Sequence, residues 1–213
     1  MTPESRIVVF GAGAVGYYLG GKLAQAGHAV TLIGRPRLAA ALAAHPLTII
    51  EPEGTATADV KAETSTEHVP PAHLVLLTMR TYDVPGAIPL LPALLDEAGY
   101  LIAFQNGVGT DERLTTALGR ERLLAGTLTT AVGMDEPGVP RPGGSGGVAL
   151  AALDDRGVPA DIVSLFLSTG LTANTVDDVR SLRWSKLLLN MLGAASSAVL
   201  DLDLKQVVGD PRL

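Results

Sequence analysis

A glycine-rich turn between a predicted strand and a predicted helix constrains the fold of this chain most. Residues 7–10 are apolar and mostly β-branched, which is too short a run for a helix and is typical of a buried strand. The turn occupies residues 11–16, residues 17–26 have a helical pattern that stops at a glycine, and residues 29–33 form a second apolar run. This order predicts a βαβ unit of the size that a dinucleotide site requires.

The spacing within the turn gives each glycine an expected role. Gly11 should form the tight turn, Gly13 should let the backbone approach a pyrophosphate, and Gly16 should let helix and strand touch. Ala14 and Val15 lie in the same turn and are expected to bind the cofactor, and the N-terminus of the helix that follows offers N–H groups and a positive dipole end to that pyrophosphate. A Gly-x-Gly-x-x-Gly motif alone would fit any glycine-rich turn, but the strand-turn-helix-strand order favours dinucleotide binding.

The end of the second predicted strand bears on which dinucleotide is bound. NAD sites usually place Asp or Glu there, whereas NADP sites tolerate or recruit Arg. This chain has Gly34-Arg35-Pro36-Arg37 at that point, with no acid nearby. A guanidinium fork matches a phosphate well, so the sequence predicts NADP(H) with Arg35 as a binding residue. The alternative for Arg35 is a solvated loop arginine.

Composition narrows the class of protein. The net charge of −6, the pI near 5.1 and the lack of a basic cluster argue against a nucleic-acid partner. The absence of cysteine excludes disulfides and thiolate metal sites and fits a reducing compartment. Apolar residues make up 47% of the chain, but no uncharged run reaches the length of a membrane span, and no basic leader precedes an apolar run. We therefore expect a soluble, cytoplasmic protein.

Strand-like and helix-like segments alternate along the rest of the chain. The strand predictions are residues 47–50, 55–60, 74–79, 100–104, 124–132, 148–153 and 171–176. The helix predictions are residues 37–44, 84–98, 111–118, 161–167 and 181–200. This alternation predicts an α/β fold with a doubly wound, Rossmann-like, mostly parallel sheet.

Two polar residues follow predicted strands of that sheet. Arg80 comes directly after residues 74–79, and Asn106 comes shortly after residues 100–104. Because ligands of such sheets bind outside the carboxyl ends of the strands, both residues should share a rim with the glycine turn. Each also has a plainer interpretation: Arg80 as a solvated charge and Asn106 as part of an ordinary Asn-Gly turn.

Residues 133–147 contain six glycines and three prolines. That composition indicates a flexible linker. The strand-like segments on either side indicate a long hairpin equally well.

The helix predicted for residues 181–200 has a wide apolar arc and a narrow polar stripe. The stripe consists of Arg183, Lys186, Asn190, Gly193 and Ser197. It has two interpretations, a cleft wall and a solvent-facing surface. The apolar arc is wider than one neighbouring surface normally covers, so we expect a homodimer that pairs through this helix.

Together these segments resemble the ketopantoate reductase family, 2-dehydropantoate 2-reductases that use NADPH. The resemblance covers essentially the whole chain and begins with the glycine turn and Arg35. It continues through residues 76–80 (Leu-Leu-Thr-Met-Arg), 106–109 (Asn-Gly-Val-Gly), 137–139 (Pro-Gly-Val) and 184–186 (Trp-Ser-Lys), with Asn190 one turn on. It also favours the hairpin for residues 133–147.

The resemblance implies roles for four polar residues. Lys186 corresponds to the family's catalytic lysine, Asn190 to its substrate-binding partner, and Asn106 to the asparagine beside nicotinamide and substrate. Arg80 stands where the family usually has lysine, and it can clamp a substrate carboxylate or a cofactor phosphate. The chemistry agrees, because an ammonium can stabilise the alkoxide that hydride delivery creates and can donate its proton.

The resemblance also implies a dinucleotide-binding domain at residues 1–178 and the start of an all-helical domain at residues 179–213, which is incomplete here. The expected function is NADPH-dependent reduction of a small 2-oxo acid, as in ketopantoate to pantoate. The alternatives are a different 2-oxo acid or a non-catalytic NADP-binding module. Lys186 and Asn190 favour an enzyme, whereas Arg80 and Ala194, which stands where the family has a second asparagine, favour a module.

Overall fold

A computed structural model gives the fold of residues 5–202 and 204–209. The ends of the two predicted domains at residues 1–4 and 210–213 lie outside the described residues. The strands are β1 (Arg6–Phe10), β2 (Ala29–Ile33), β3 (Leu47–Glu51), β4 (Gly54–Ala58), β5 (Lys61–Glu63), β6 (Ala72–Leu77), β7 (Leu95–Ala103), β8 (Leu123–Leu128), β9 (Val132–Glu136), β10 (Val139–Pro142), β11 (Gly147–Ala152) and β12 (Thr172–Thr175). The helices are α1 (Ala14–Gln25), α2 (Pro36–Ala44), α3 (Val84–Ala87), α4 (Leu91–Leu94), α5 (Thr110–Leu118), α6 (Ala160–Ser168), α7 (Val179–Asn190), α8 (Ser196–Leu200) and α9 (Leu204–Gly209).

Eight strands form one sheet in the order β12-β11-β8-β7-β6-β1-β2-β5. Every neighbouring pair in it is parallel except β8 and β11, which are antiparallel. The remaining strands form two hairpins, β3–β4 and β9–β10. The predicted doubly wound, mostly parallel α/β fold is therefore confirmed.

Helices cover both faces of this sheet, because β1 and its neighbours are apolar on both sides. On one face α1 and α6 pack against the strands through buried residues that include Tyr17, Leu19, Leu23, Ile162 and Phe166. On the other face α4 and α5 do so through Leu91, Leu94 and Leu114. The polar loops at the carboxyl ends of the strands are thus held on a rigid, two-sided core.

The single helix predicted for residues 84–98 is wrong. The segment forms α3, a 3₁₀ turn (Ile88–Leu90) and α4, and β7 begins at Leu95. A proline stands in the first two positions of each of these three short pieces. Proline suits a helix start but removes an N–H donor from a helix interior, so the helix restarts instead of continuing.

The glycine-rich segment at residues 133–147 contains a hairpin, not a linker. β9 and β10 pair antiparallel, and Gly138 turns the chain between them at φ +86°. The hairpin also contacts β3, where the Thr48 N–H donates to the Gly138 carbonyl at 2.9 Å. The strand predicted for residues 124–132 divides accordingly into β8 and the first residue of β9.

The predicted C-terminal helix is present, with an interruption. It begins with α7, where the N–H groups of Arg180 and Ser181 both donate to the Asp178 carboxylate at 3.0 Å, a normal N-cap. A π-helical turn (Met191–Ala195) then leads into α8. The division into domains at residues 178 and 179 falls at this cap and stays a prediction. Within residues 5–202 and 204–209, no helix combines the length and apolar character needed to span a bilayer.

Candidate active site

A cleft of about 1270 Å³ opens at the carboxyl end of the sheet. Its walls come from the loops that follow β1, β2, β6 and β7 and from one face of β9, where ligands of doubly wound sheets bind. Seven of the predicted site residues line it: Gly11, Gly13, Ala14, Val15, Arg35, Arg80 and Asn106.

The glycine turn has the geometry that a pyrophosphate needs. Gly11 has φ +113°, and a Cβ there would lie 2.3 Å from the Met79 nitrogen. A Cβ at Gly16, beneath the cleft, would lie 2.6 Å from the Gly11 carbonyl oxygen. Nothing among the described residues lies within 4 Å of a Cβ built on Gly13, which caps α1 and lines the cleft. The cradle is therefore closed by backbone below and open above, so a dinucleotide fits it.

The cleft is positive near the tip of β2. Its described lining includes Arg35, Arg37 and Arg80, with Asp83 as the acid among them. Arg35 precedes α2 in an extended conformation, φ −68° and ψ 152°, as the following proline favours. Its guanidinium is largely exposed and lies 4.0 Å from the Asp83 carboxylate, measured from Nη2 to Oδ2. An anionic ligand group would be attracted here.

Lys186 and Asn190, one turn apart on α7, are outside the described lining of the cleft, and Asn190 reaches its edge. The Asn190 amide donates to the Asn106 side-chain oxygen at 3.4 Å, and Asn106 does line the cleft. The Lys186 ammonium donates to the carbonyl of Leu128, at the end of β8, at 2.9 Å. Partial burial lowers the pKa of Lys186, because desolvation disfavours the charged form.

Arg183, which the sequence placed on the same polar stripe, has a different environment. It is buried, not part of the cleft wall. Its Nε and Nη2 donate to the two carboxylate oxygens of Asp111, at 2.9 and 2.7 Å. Its remaining N–H groups donate to the carbonyls of Ala103, Gln105 and Gly126, at 3.0 to 3.1 Å.

These five hydrogen bonds use the full donor set of a guanidinium. They tie α7 to α5, to the carboxyl end of β7 and to the middle of β8. Since Lys186 lies one turn after Arg183 on the same face, we expect the buried pair with Asp111 to fix the position of Lys186. Sequence reasoning missed Asp111 altogether, and its only local signal was a position in the first turn of α5.

Gln105 is a second residue that sequence reasoning missed. It is buried, and its side-chain amide donates to the carbonyls of Leu77 at 2.8 Å and Met79 at 3.1 Å. The Thr81 hydroxyl adds a bond to the Asn106 carbonyl at 3.3 Å. These bonds join the loops that follow β6 and β7, so the position of Asn106 depends on the loop that carries Arg80.

The chain was compared with known proteins. The profile of the family described as Ketopantoate reductase PanE/ApbA matches residues 7–155, more than half of the chain. A 2-dehydropantoate 2-reductase of Pyrococcus horikoshii is 29% identical over 199 residues, which cover 92% of this chain and 64% of the relative. The chain thus spans slightly less than two thirds of that relative's length.

Solved structures share the fold. The crystal structure of a 2-dehydropantoate 2-reductase from Geobacter metallireducens is 28% identical and superposes with a TM-score of 0.89, over 97% of this chain and 69% of that one. D-mandelate dehydrogenase, in a ternary structure with NADH and anilino(oxo)acetate, has the same fold at 22% identity, with a TM-score of 0.83 over 92% of this chain and 64% of that one. The profile match, the relative and the structural likeness agree, and this chain belongs to the ketopantoate reductase PanE/ApbA family.

Proposed function

We propose that this chain is an NADPH-dependent reductase of a small 2-oxo acid, with 2-dehydropantoate as the leading substrate. The observation that carries the proposal is the meeting of two parts at the cleft. A glycine cradle with an arginine-rich rim supplies the dinucleotide site, and α7 brings Asn190 into contact with Asn106 at its edge.

Two lines of evidence support the cofactor. Family membership and the fold shared with the NADH-bound D-mandelate dehydrogenase support a nicotinamide dinucleotide. The choice of NADPH is supported by Arg35, by the other arginines of the cleft lining, Arg37 and Arg80, and by the lack of an acid in residues 34–37. A cytoplasmic location fits the absence of cysteine.

The glycine turn and Arg35 would hold the cofactor, which would supply hydride to the carbonyl carbon, while other residues of the protein orient the substrate and donate a proton. Asn106 and Asn190 hold the substrate, and Arg80 pairs with its carboxylate or with a cofactor phosphate. Lys186 donates a proton to the carbonyl oxygen as the alkoxide forms, and then regains one from water. Desolvation lowers the pKa of Lys186, which makes its ammonium a better acid. The ketone thus gains a hydride and a proton and becomes a secondary alcohol.

A second candidate function is a non-catalytic NADP-binding module. It is favoured by the placement of Lys186, whose ammonium is engaged by the Leu128 carbonyl outside the described cleft lining. Absorbance of NADPH during incubation with ketopantoate and other small 2-oxo acids separates the two functions. Turnover with any of them supports the reductase, and binding of NADPH without turnover supports the module.

Arg35→Ala should weaken NADPH binding. Losing one charge-assisted phosphate contact costs roughly 1.5–3 kcal/mol, whereas NADH has no 2′-phosphate to lose. Fluorescence titration of both cofactors measures this, with Arg113→Ala as a control because Arg113 is exposed on α5 and outside the described cleft lining. Equal NADPH affinity in wild type and Arg35→Ala would show that the phosphate is bound elsewhere.

We also propose that the chain forms a two-fold homodimer through its C-terminal helices. Large apolar side chains of this surface are more than half exposed: Trp184, Leu188, Leu189, Met191, Leu192 and Val199. Such a contiguous patch is typical of an interaction site.

Light scattering over a dilution series should therefore show a dimer that dissociates only at low concentration. Leu189→Glu combined with Leu192→Glu should yield a monomer that still binds NADPH, because neither residue is among the described lining of the cleft. A wild-type monomer with α7 and α8 well protected from hydrogen exchange would contradict the dimer.

A further inference from the structure

We infer that Asp83 is a specificity-determining residue that competes with the cofactor's 2′-phosphate for Arg35 and so narrows the preference for NADPH over NADH. This inference rests on the proposed function, because Asp83 would weaken the binding of the NADPH that this function uses.

The position of Asp83 is fixed by the loop that follows β6. It ends the 3₁₀ turn Thr81–Asp83, and its N–H donates to the Arg80 carbonyl at 2.9 Å. Its carboxylate lies 4.0 Å from the Arg35 guanidinium, across the cleft from the tip of β2. The side chain makes no capping bond to α3, so its carboxylate does not satisfy the N–H groups at the start of that helix.

Among the described residues that line the cleft, positive side chains outnumber negative ones. Arg35, Arg37 and Arg80 line the cleft with Asp83 as the acid in its described wall. A phosphate on the Arg35 fork must displace the Asp83 carboxylate or share the guanidinium with it, and the two anions repel each other. A ribose with a free 2′-hydroxyl has the opposite preference, since a carboxylate can accept its hydrogen bond as the acid at the β2 tip does in NAD sites.

The exposure of the Arg35 and Asp83 side chains limits how strongly Asp83 can change NADPH binding. The side chains of Arg35 and Asp83 are 76% and 44% exposed, so their pairing is screened by water and salt. Exposed ion pairs are worth up to roughly a factor of five in an equilibrium constant. Asp83 should therefore adjust the cofactor preference without reversing it.

Dissociation constants for NADPH and NADH test this in wild type, Asp83→Asn, Arg35→Ala and the double variant. Asp83→Asn should tighten NADPH about threefold to fivefold at low salt, less at high salt, and should not tighten NADH. The gain for NADPH should disappear in the Arg35→Ala background, because Asp83 acts through Arg35. Asp135→Asn is the matched control, since Asp135 pairs with Arg141 at 3.2 Å on the β9–β10 hairpin, outside the described cleft lining.

The outcomes separate the inference from the function beneath it. Wild type that binds both dinucleotides, with an Asp83→Asn variant that binds NADPH no more tightly, would overturn the inference alone. A gain that persists in the Arg35→Ala background would also overturn it, because direct repulsion would then replace competition for Arg35. If wild type binds neither NADPH nor NADH, both the proposed function and the inference are overturned.

Discussion

Lys186→Ala should lower ketone reduction on the order of a hundredfold or more while leaving NADPH binding nearly intact. The proposed role of Lys186 is to protonate the developing alkoxide, which has no counterpart in cofactor binding. Steady-state rates and NADPH titration measure the two effects separately. Arg180→Ala is the matched control, because Arg180 is an exposed cation on the same helix and outside the described cleft lining.

The same assignment predicts the direction of the pH dependence. Only the ammonium form of Lys186 can donate a proton, so the rate should be full below the pKa of Lys186 and fall as the pH rises through it. Desolvation lowers that pKa, so the alkaline limb should begin at a lower pH than for an exposed lysine. A Lys186→Ala variant that keeps the wild-type rate would rule out the proposed catalytic role of Lys186. A wild-type rate that keeps rising through the alkaline range would do the same.

Asp111→Leu should destabilise the fold by about 3–5 kcal/mol, because it leaves the Arg183 guanidinium buried without its counter-charge. Urea denaturation followed by circular dichroism measures this. The double variant Asp111→Leu, Arg183→Met should regain much of the loss, since replacing both partners of a buried ion pair by apolar groups is often nearly neutral. Arg113→Ala, on the exposed face of α5, should change the free energy of unfolding by less than about 0.5 kcal/mol.

The two Asp111 variants also test the positioning of α7. The double variant should be stable, yet its ketone reduction should stay well below that of wild type. The bonds from Arg183 to the Gln105 and Gly126 carbonyls, which hold Lys186 over the end of β8, are gone. A single Asp111→Leu variant as stable as wild type would show that the pair does not anchor α7. A fully active double variant would show that α7 finds its position without Arg183.

Local sequence was sufficient to predict the glycine turn and the rim of the cleft. Residues 11–16 carry their conformational requirement in the glycines themselves, since Gly11 needs a positive φ and Gly16 needs a missing Cβ. The hydrophobic periods around them fix a strand and a helix, and parallel strands then bring their carboxyl ends to one rim. For this reason the sequence predicts that Arg80 and Asn106 share a rim with the glycine turn, and Gly13, Arg80 and Asn106 do line one cleft.

The break in the helix predicted for residues 84–98 was only partly visible in the sequence. The prolines of this segment indicate that a regular helix would be strained, and they stand at Pro85, Pro89 and Pro92. The start of β7 at Leu95 depends instead on pairing with Ala72 of β6. A strand end that is set by its neighbour has no signature in its own residues.

The sequence by itself determined the α/β fold class, the glycine cradle and the rim on which the polar residues stand. Each of these follows from periodicity and from the backbone freedom of single residues, which act over a few positions. The tertiary structure alone decided the environment of α7. Arg183 and Lys186 lie one turn apart on the same predicted stripe. Arg183 is buried against Asp111, whereas the Lys186 ammonium donates to the Leu128 carbonyl. Burial and charge pairing depend on which residues the fold brings together, and Asp111 lies 72 positions from Arg183 along the chain.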